Sequence, residues 1–179
     1  MSMLGINILN DIVKTEWIPG KILGKLDQMI KTALHQSDDP DSPRDGMDIA
    51  LIAIEKNMSK IYYAGANRPL WLVAKDKELQ EWKATRIPIG GYKENDPEFI
   101  THEIKTRLGD SFYFSSDGYA DQNGGEFGKK LMTKKFKEVL QSINDMGMKN
   151  QEEYLKKYIK NWRGEHDQRD DILVIGIRI

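Results

Sequence analysis

The most constraining feature of this chain is a procession of strand-like segments with no helix between them. Residues 47–55 (MDIALIAIE) and 60–65 (KIYYAG) flank a polar turn at Asn57 to Ser59, the pattern of a hairpin. Residues 70–75 (LWLVAK) and 79–84 (LQEWKA) form a second such pair, turning at Asp76 and Lys77. Residues 98–105 (EFITHEIK) alternate apolar and polar, as a half-buried strand does, and 111–116 (SFYFSS) reads as a further strand. Parallel neighbours need a crossover of a dozen or more residues, usually a helix. Strands that follow one another this closely therefore pair antiparallel.

Helical spacing is confined to the flanks of this region. Leu4, Ile8 and Ile12 share a face within residues 1–16. After a break at Pro19 and Gly20, Ile22, Leu26, Met29, Ile30 and Ala33 repeat the spacing over 21–35. Two more helices are expected over 129–142, with Phe136, Val139 and Leu140, and over 149–163, with Tyr154, Leu155, Tyr158 and Trp162. The segment 37–46 (SDDPDSPRDG) is turn chemistry. The β-branched run 171–179 (DILVIGIRI) reads as a buried strand. The expected architecture is α+β: a β-sandwich of mainly antiparallel strands flanked by helices, as a single domain over 1–179.

Composition excludes several chemistries. The chain has no cysteine, so disulfides, thiolate metal sites and cysteine nucleophiles are ruled out. A formal net charge of −1 gives no basic field for nucleic acid or an anionic membrane surface. No apolar run approaches the roughly 20 residues that span a bilayer. Asn7, Asn10 and Asp11 interrupt the apolar N-terminus, which has no basic leader and reads as a helix, not a signal peptide. A cytoplasmic setting is expected.

Two acidic strand ends carry what chemistry the sequence offers. SFYFSS runs directly into Asp117 and Gly118, and the last strand is preceded by Asp170 and Asp171. Carboxylates at such a rim suit a hard cation such as Mg²⁺ or Mn²⁺, and a glycine lets the chain turn tightly beside it. Asp-Gly after a strand is also ordinary turn chemistry, and Asp-Asp before one can simply be solvated. Spacing alone leaves both readings open.

The segments AGANRPLWLV (64–73), PIGGY (88–92), GDSFYFSSDGYADQNGG (109–125) and QRDDILVIGIRI (168–179), in this order, resemble the SpoIIE-like branch of the metal-dependent protein serine/threonine phosphatases. The resemblance spans essentially the whole chain. It implies a phosphatase-type β-sandwich with a binuclear Mg²⁺ or Mn²⁺ centre that hydrolyses phosphoserine or phosphothreonine. The substrate implied is a regulatory protein of the anti-sigma-antagonist type. By the same resemblance Asp117 and Asp170 are ligands of one metal, Gly118 shapes the turn, and Asp171 orients water or Asp170 from beside the ligand. Asp121, which follows the motif, is read as a helix N-cap or turn residue. Arg68 could meet a phosphorylated partner or be a solvated turn charge. His35, His102 and His166 show no ligand spacing, and His166 alone lies near the Asp170 motif. Trp17, Trp71, Trp82 and Trp162 are expected to anchor packing.

Relative to that family the chain is incomplete at the N-terminus. It contains no Asp-x-x-Gly-His-Gly segment, the motif that supplies the aspartate bridging both metals. Weak or no activity is expected of this chain alone. A homodimer that hides an opened sheet edge or the first two helices is expected too. The alternative to an enzyme is a non-catalytic interaction or dimerisation module that retains the fold.

Overall fold

A computed structural model describes residues 2–37, 39, 41–76, 78–91 and 97–179. Lys77 of the second predicted turn, Tyr92 of the PIGGY segment, and Asp38 and Pro40 of the 37–46 loop lie outside these residues. The elements run α1 (Ser2–Ile12), α2 (Pro19–Ala33), β1 (Gly46–Met47), β2 (Ile49–Ile54), β3 (Lys60–Ala66), β4 (Leu70–Val73), β5 (Leu79–Trp82), β6 (Ile89–Gly90), β7 (His102–Lys105) and β8 (Ser111–Ser115). They continue α3 (Gly118–Asp121), β9 (Asn123–Gly124), β10 (Lys129–Lys130), α4 (Thr133–Ser142), α5 (Met148–Arg163) and β11 (Val174–Arg178). The chain forms two compact units, Met1–Leu70 with Trp82–Thr106, and Trp71–Glu81 with Arg107–Ile179.

In the first unit β3 lies between β2 and β7, antiparallel to both. The β2–β3 turn is an Asx turn: Asn57 Oδ1 accepts the Ser59 amide at 3.0 Å. Pro19 opens α2 from its first turn, where its missing N–H costs nothing. Ile22, Leu23, Leu26 and Ile30 of α2 are buried with Ile8 and Ile12 of α1 and with Ala64, Ala66, Ile89 and Phe99. One charge is buried in this core. Asp27 accepts the Gly90 amide at 2.7 Å through Oδ1 and pairs with Lys31 at 2.8 Å through Oδ2, so neither oxygen is stranded. Trp17 departs from the expected anchoring role. It is 59% exposed and meets only the edge of Tyr62 among the ring contacts described.

The second unit is built on the sheet ordered β11-β8-β4-β5, with β8 antiparallel to both β11 and β4. Phe112 and Tyr113 are neighbours in β8 and both are buried, so both faces of this strand are covered. Tyr113, Tyr119, Trp71, Phe136, Val139, Leu140 and Leu155 form its core. Tyr119 stacks on Phe136 at 4.2 Å and Trp71 meets the edge of the same ring at 5.5 Å. Two expectations need correction. Residues 129–132 belong to a β9–β10 hairpin and the chain leading out of it, so α4 starts only at Thr133. The final strand is not buried: β11 is an outer strand, and Ile175 and Leu173 are exposed. Its apolar composition reports one covered face, through Ile172 and Val174, and not two.

Candidate metal centre

The two acidic segments meet through the β8–β11 ladder. Antiparallel pairing runs from Arg178↔Ser111 to Val174↔Ser115, so the start of β11 lies beside the end of β8. Ser116 extends the contact past the strands. Its amide donates to the Leu173 carbonyl at 3.0 Å, its hydroxyl donates to the Asp171 carbonyl at 2.7 Å, and its Oγ accepts the Leu173 amide at 3.0 Å. A Cβ added at Gly118 would lie 2.5 Å from the Asp171 carbonyl oxygen and 3.3 Å from that of Asp170. Glycine is required here for close approach of two backbones.

Asp117 precedes α3 in an already helical conformation and makes no side-chain cap bond to it. Asp117, Asp170 and Asp171 are all exposed. Asp170 Oδ1 accepts the Asp171 amide at 2.7 Å, which fixes the carboxylate against its own backbone. The segment that carries it is held at both ends. Gln122 is buried and donates to the Asp167 carbonyl at 2.9 Å, while Trp162 Nε1 donates to the Gln122 carbonyl at 3.0 Å. At the other end Asp171 is held by Ser116. Sequence reasoning missed both anchors. Ser116 had a signal, as a hydroxyl beside an acidic strand end. Gln122 had none, since a buried loop amide reads like any other polar residue.

Among the described residues no group of three or more His, Asp or Glu side chains is arranged to hold a metal ion. Mg²⁺ commonly takes one or two carboxylates and completes its shell with water. At this strand junction the two acidic segments are joined through backbone contacts. Asp121 is neither N-cap nor turn residue: it ends α3 and pairs with Lys130 at 2.6 Å. His166 is exposed beside Gly128. In the first unit His102 stacks on Tyr63, and Arg68 pairs with Asp48 at 2.6 Å.

Helices with antiparallel sheets, and acidic termini joined at the β8–β11 junction, describe a domain of the PP2C protein phosphatase class, a fold found in bacterial signalling proteins. The chain belongs to the SpoIIE family, since the model of Stage II sporulation protein E matches residues 1–179. It is similar to the SiaA-PP2C domain of Pseudomonas aeruginosa, with 28% identity and a TM-score of 0.86, covering 99% of this chain and 68% of that one. It is also similar to the PP2C phosphatase domain, with a fragment of the regulatory domain, of SpoIIE from Bacillus subtilis (17% identity, TM-score 0.73, 98% of this chain and 48% of that one). The serine/threonine phosphatase PstP/Ppp of Mycobacterium tuberculosis shares the fold at 16% identity and a TM-score of 0.62, over 98% of this chain and 79% of that one. No curated protein sequence matches the chain. No helix among the described residues is long and apolar enough to cross a membrane.

Proposed function

We propose that this chain is a metal-dependent protein serine/threonine phosphatase domain. Its substrate is a phosphoserine or phosphothreonine on a cytoplasmic regulatory protein of the anti-sigma-antagonist type. The observation that carries this reading is the backbone contact of Gly118 with Asp170 and Asp171, which joins the acidic ends of two distant segments. Asp117 and Asp170 would hold one Mg²⁺ or Mn²⁺ ion through their carboxylates. When bound, such an ion lowers the pKa of water and offsets charge on phosphoryl oxygens. Gly118 keeps the two segments close. The Asp171 amide orients the Asp170 carboxylate, and its side chain would help position water beside the ion. Activity of this chain by itself is weak, because two carboxylates hold a reluctant cation poorly.

Calorimetric titration with Mn²⁺ tests the assignment. Asp117→Asn and Asp170→Asn should each weaken binding by about tenfold or more, since each removes a charged oxygen ligand. Wild-type affinity in both variants would remove the site. A second reading, a non-catalytic interaction module, is favoured by one observation: no third acidic or imidazole ligand joins the cluster among the described residues. It predicts no Mn²⁺ binding and no hydrolysis of p-nitrophenyl phosphate.

A further inference from the structure

The β9–β10 hairpin and the first turn of α4 carry a local charge that the chain as a whole does not. Residues 126–137 (EFGKKLMTKKFK) hold five lysines against one acid, Glu126, in a chain of formal net charge −1. Lys130 pairs with Asp121 at 2.6 Å, Lys135 with Glu138 at 3.3 Å and Lys137 with Glu81 at 3.0 Å. Lys129 lies 6.0 Å from the ring centroid of Phe127, and Lys134 is exposed. Among the described residues neither of these two meets a carboxylate. Stability does not explain the placement. Lys134 and Lys135 sit in the first turn of α4, which has no acidic residue and no side-chain cap. The positive end of a helix dipole disfavours cations there. Packing does not explain the apolar neighbours either, since Phe127 is 78% exposed and Met132 59%. The backbone beneath them is nonetheless fixed. Leu131 N–H donates to the Gln122 carbonyl at 3.0 Å, Met132 N–H to the Ala120 carbonyl at 2.7 Å and Gly125 N–H to the Trp162 carbonyl at 2.8 Å. These bonds and the Lys130–Asp121 pair tie the hairpin to α3, the single helical turn that begins directly after Asp117. The basic, partly apolar surface therefore borders the acidic junction.

We propose that this surface docks the phosphorylated substrate protein, and that the substrate carries acidic residues beside its phosphorylated side chain. The inference rests on the phosphatase reading above, because a phosphoryl group reaches Asp117 and Asp170 only when its carrier lies over the surface next to them. Charge selects the occupant. The acidic junction by itself repels an anionic carrier, and the adjoining lysines offset that repulsion. Lys129 and Lys134 give up no ion pair when they meet such a carrier. Phe127 is mounted on a fixed hairpin, so its backbone loses little freedom on contact, and an aromatic ring is the kind of group that anchors an interface. Glu126, the one anion in the segment, opposes this and is outnumbered.

Fluorescence anisotropy with labelled phosphoserine peptides tests it, in EDTA so that no metal contributes. One probe is flanked by aspartate and glutamate, the other by lysine. The wild type should bind the acidic probe about tenfold or more tightly than the basic one, and less tightly as salt rises. Lys129→Glu with Lys134→Glu should lower that affinity by about tenfold or more, and Phe127→Ala several-fold. Lys129→Gln with Lys134→Gln, which adds no charge, should show a smaller loss in the same direction. Removing the cation at Lys134 from the first turn of α4 should at the same time raise the urea midpoint, whereas a merely structural lysine would lose stability and binding together. Equal affinity for the two probes, or unchanged affinity in the charge-reversed variant, overturns the proposal. Binding to phosphatidylserine vesicles with none to the acidic probe overturns it in favour of a membrane surface. A Mn²⁺ titration of the same samples keeps the two readings apart. Binding of the acidic probe without Mn²⁺ binding would sustain the docking surface and remove the metal centre, and Mn²⁺ binding without discrimination between the probes would do the reverse.

Discussion

Position 118 shows how little room the strand junction leaves. A methyl group there would meet the Asp171 carbonyl at 2.5 Å. The obstacle is backbone, held by the Ser116 hydroxyl, and cannot rotate away. Gly118→Ala must therefore push the β8 and β11 ends apart, which as overpacking costs about 1–3 kcal/mol. The urea midpoint should fall with the slope unchanged. A variant as stable as the wild type would mean the two segments do not touch. Ser116→Ala tests the same junction more gently. It strips one donor and one acceptor from groups that water can reach, at a cost of about 1 kcal/mol. Its clearer effect should be on Mn²⁺ affinity, lowered several-fold because the backbone that carries Asp170 loses a fixed anchor. Calorimetry on Ser116→Ala beside the wild type reads this, and unchanged affinity would separate the anchor from the metal reading.

At the scale of elements, α5 is tied to the sheet and to α3 by two buried phenols. Tyr119 donates to the Leu155 carbonyl at 3.0 Å and Tyr113 to Gln151 Oε1 at 2.6 Å. Burial pushes both hydroxyls above the ordinary tyrosine value, Tyr119 far above it. The folded chain thus keeps its protons where the unfolded chain, with a value of about 10, releases them. This contribution is fully present below about pH 10 and is lost as pH climbs toward the raised folded-state range. Denaturation midpoints measured from neutral to alkaline pH should fall steeply past that point. Tyr119→Phe should lower neutral stability by about 1 kcal/mol and flatten the alkaline fall. An alkaline limb identical to the wild type would show that Tyr119 does not drive it. Such elements were legible in sequence only where side-chain spacing is set locally. The apolar periods of α2, α4 and α5 predict them because one helix face meets a core. The two-residue strands have no period to read: β1 and β6 exist because each pairs with the other from far along the chain, and β9 and β10 because a short hairpin brings them together. β11 was legible as a strand but not as an outer one, since its place in the sheet is fixed by what β8 leaves unpaired. The acidic pair was legible as two separate turns. That Gly118 joins them depends on ladder register, which no local pattern encodes.

For the molecule as a whole, the decisive quantity is how many metal ions it holds. Its formal charge of −1 provides no strong general field for a divalent cation, so any binding must come from a local donor set. On the proposed reading that set would be the carboxylates of Asp117 and Asp170, with Asp171 beside them. Among the described residues no cluster of three or more His, Asp or Glu side chains is arranged to hold a metal ion. A Mg²⁺ or Mn²⁺ ion with only two protein carboxylates would keep several waters and would be held weakly. A phosphorylated substrate that supplies further oxygens should tighten the ion, and by linkage the ion should tighten the substrate equally. The expected titration is therefore one equivalent of Mn²⁺ per chain, weak alone and stronger with inorganic phosphate present. It should be abolished in the double variant Asp117→Asn with Asp170→Asn. Two equivalents of tight binding would mean that ligands outside this junction complete a metal pair. No binding in either condition would leave the interaction module as the better account.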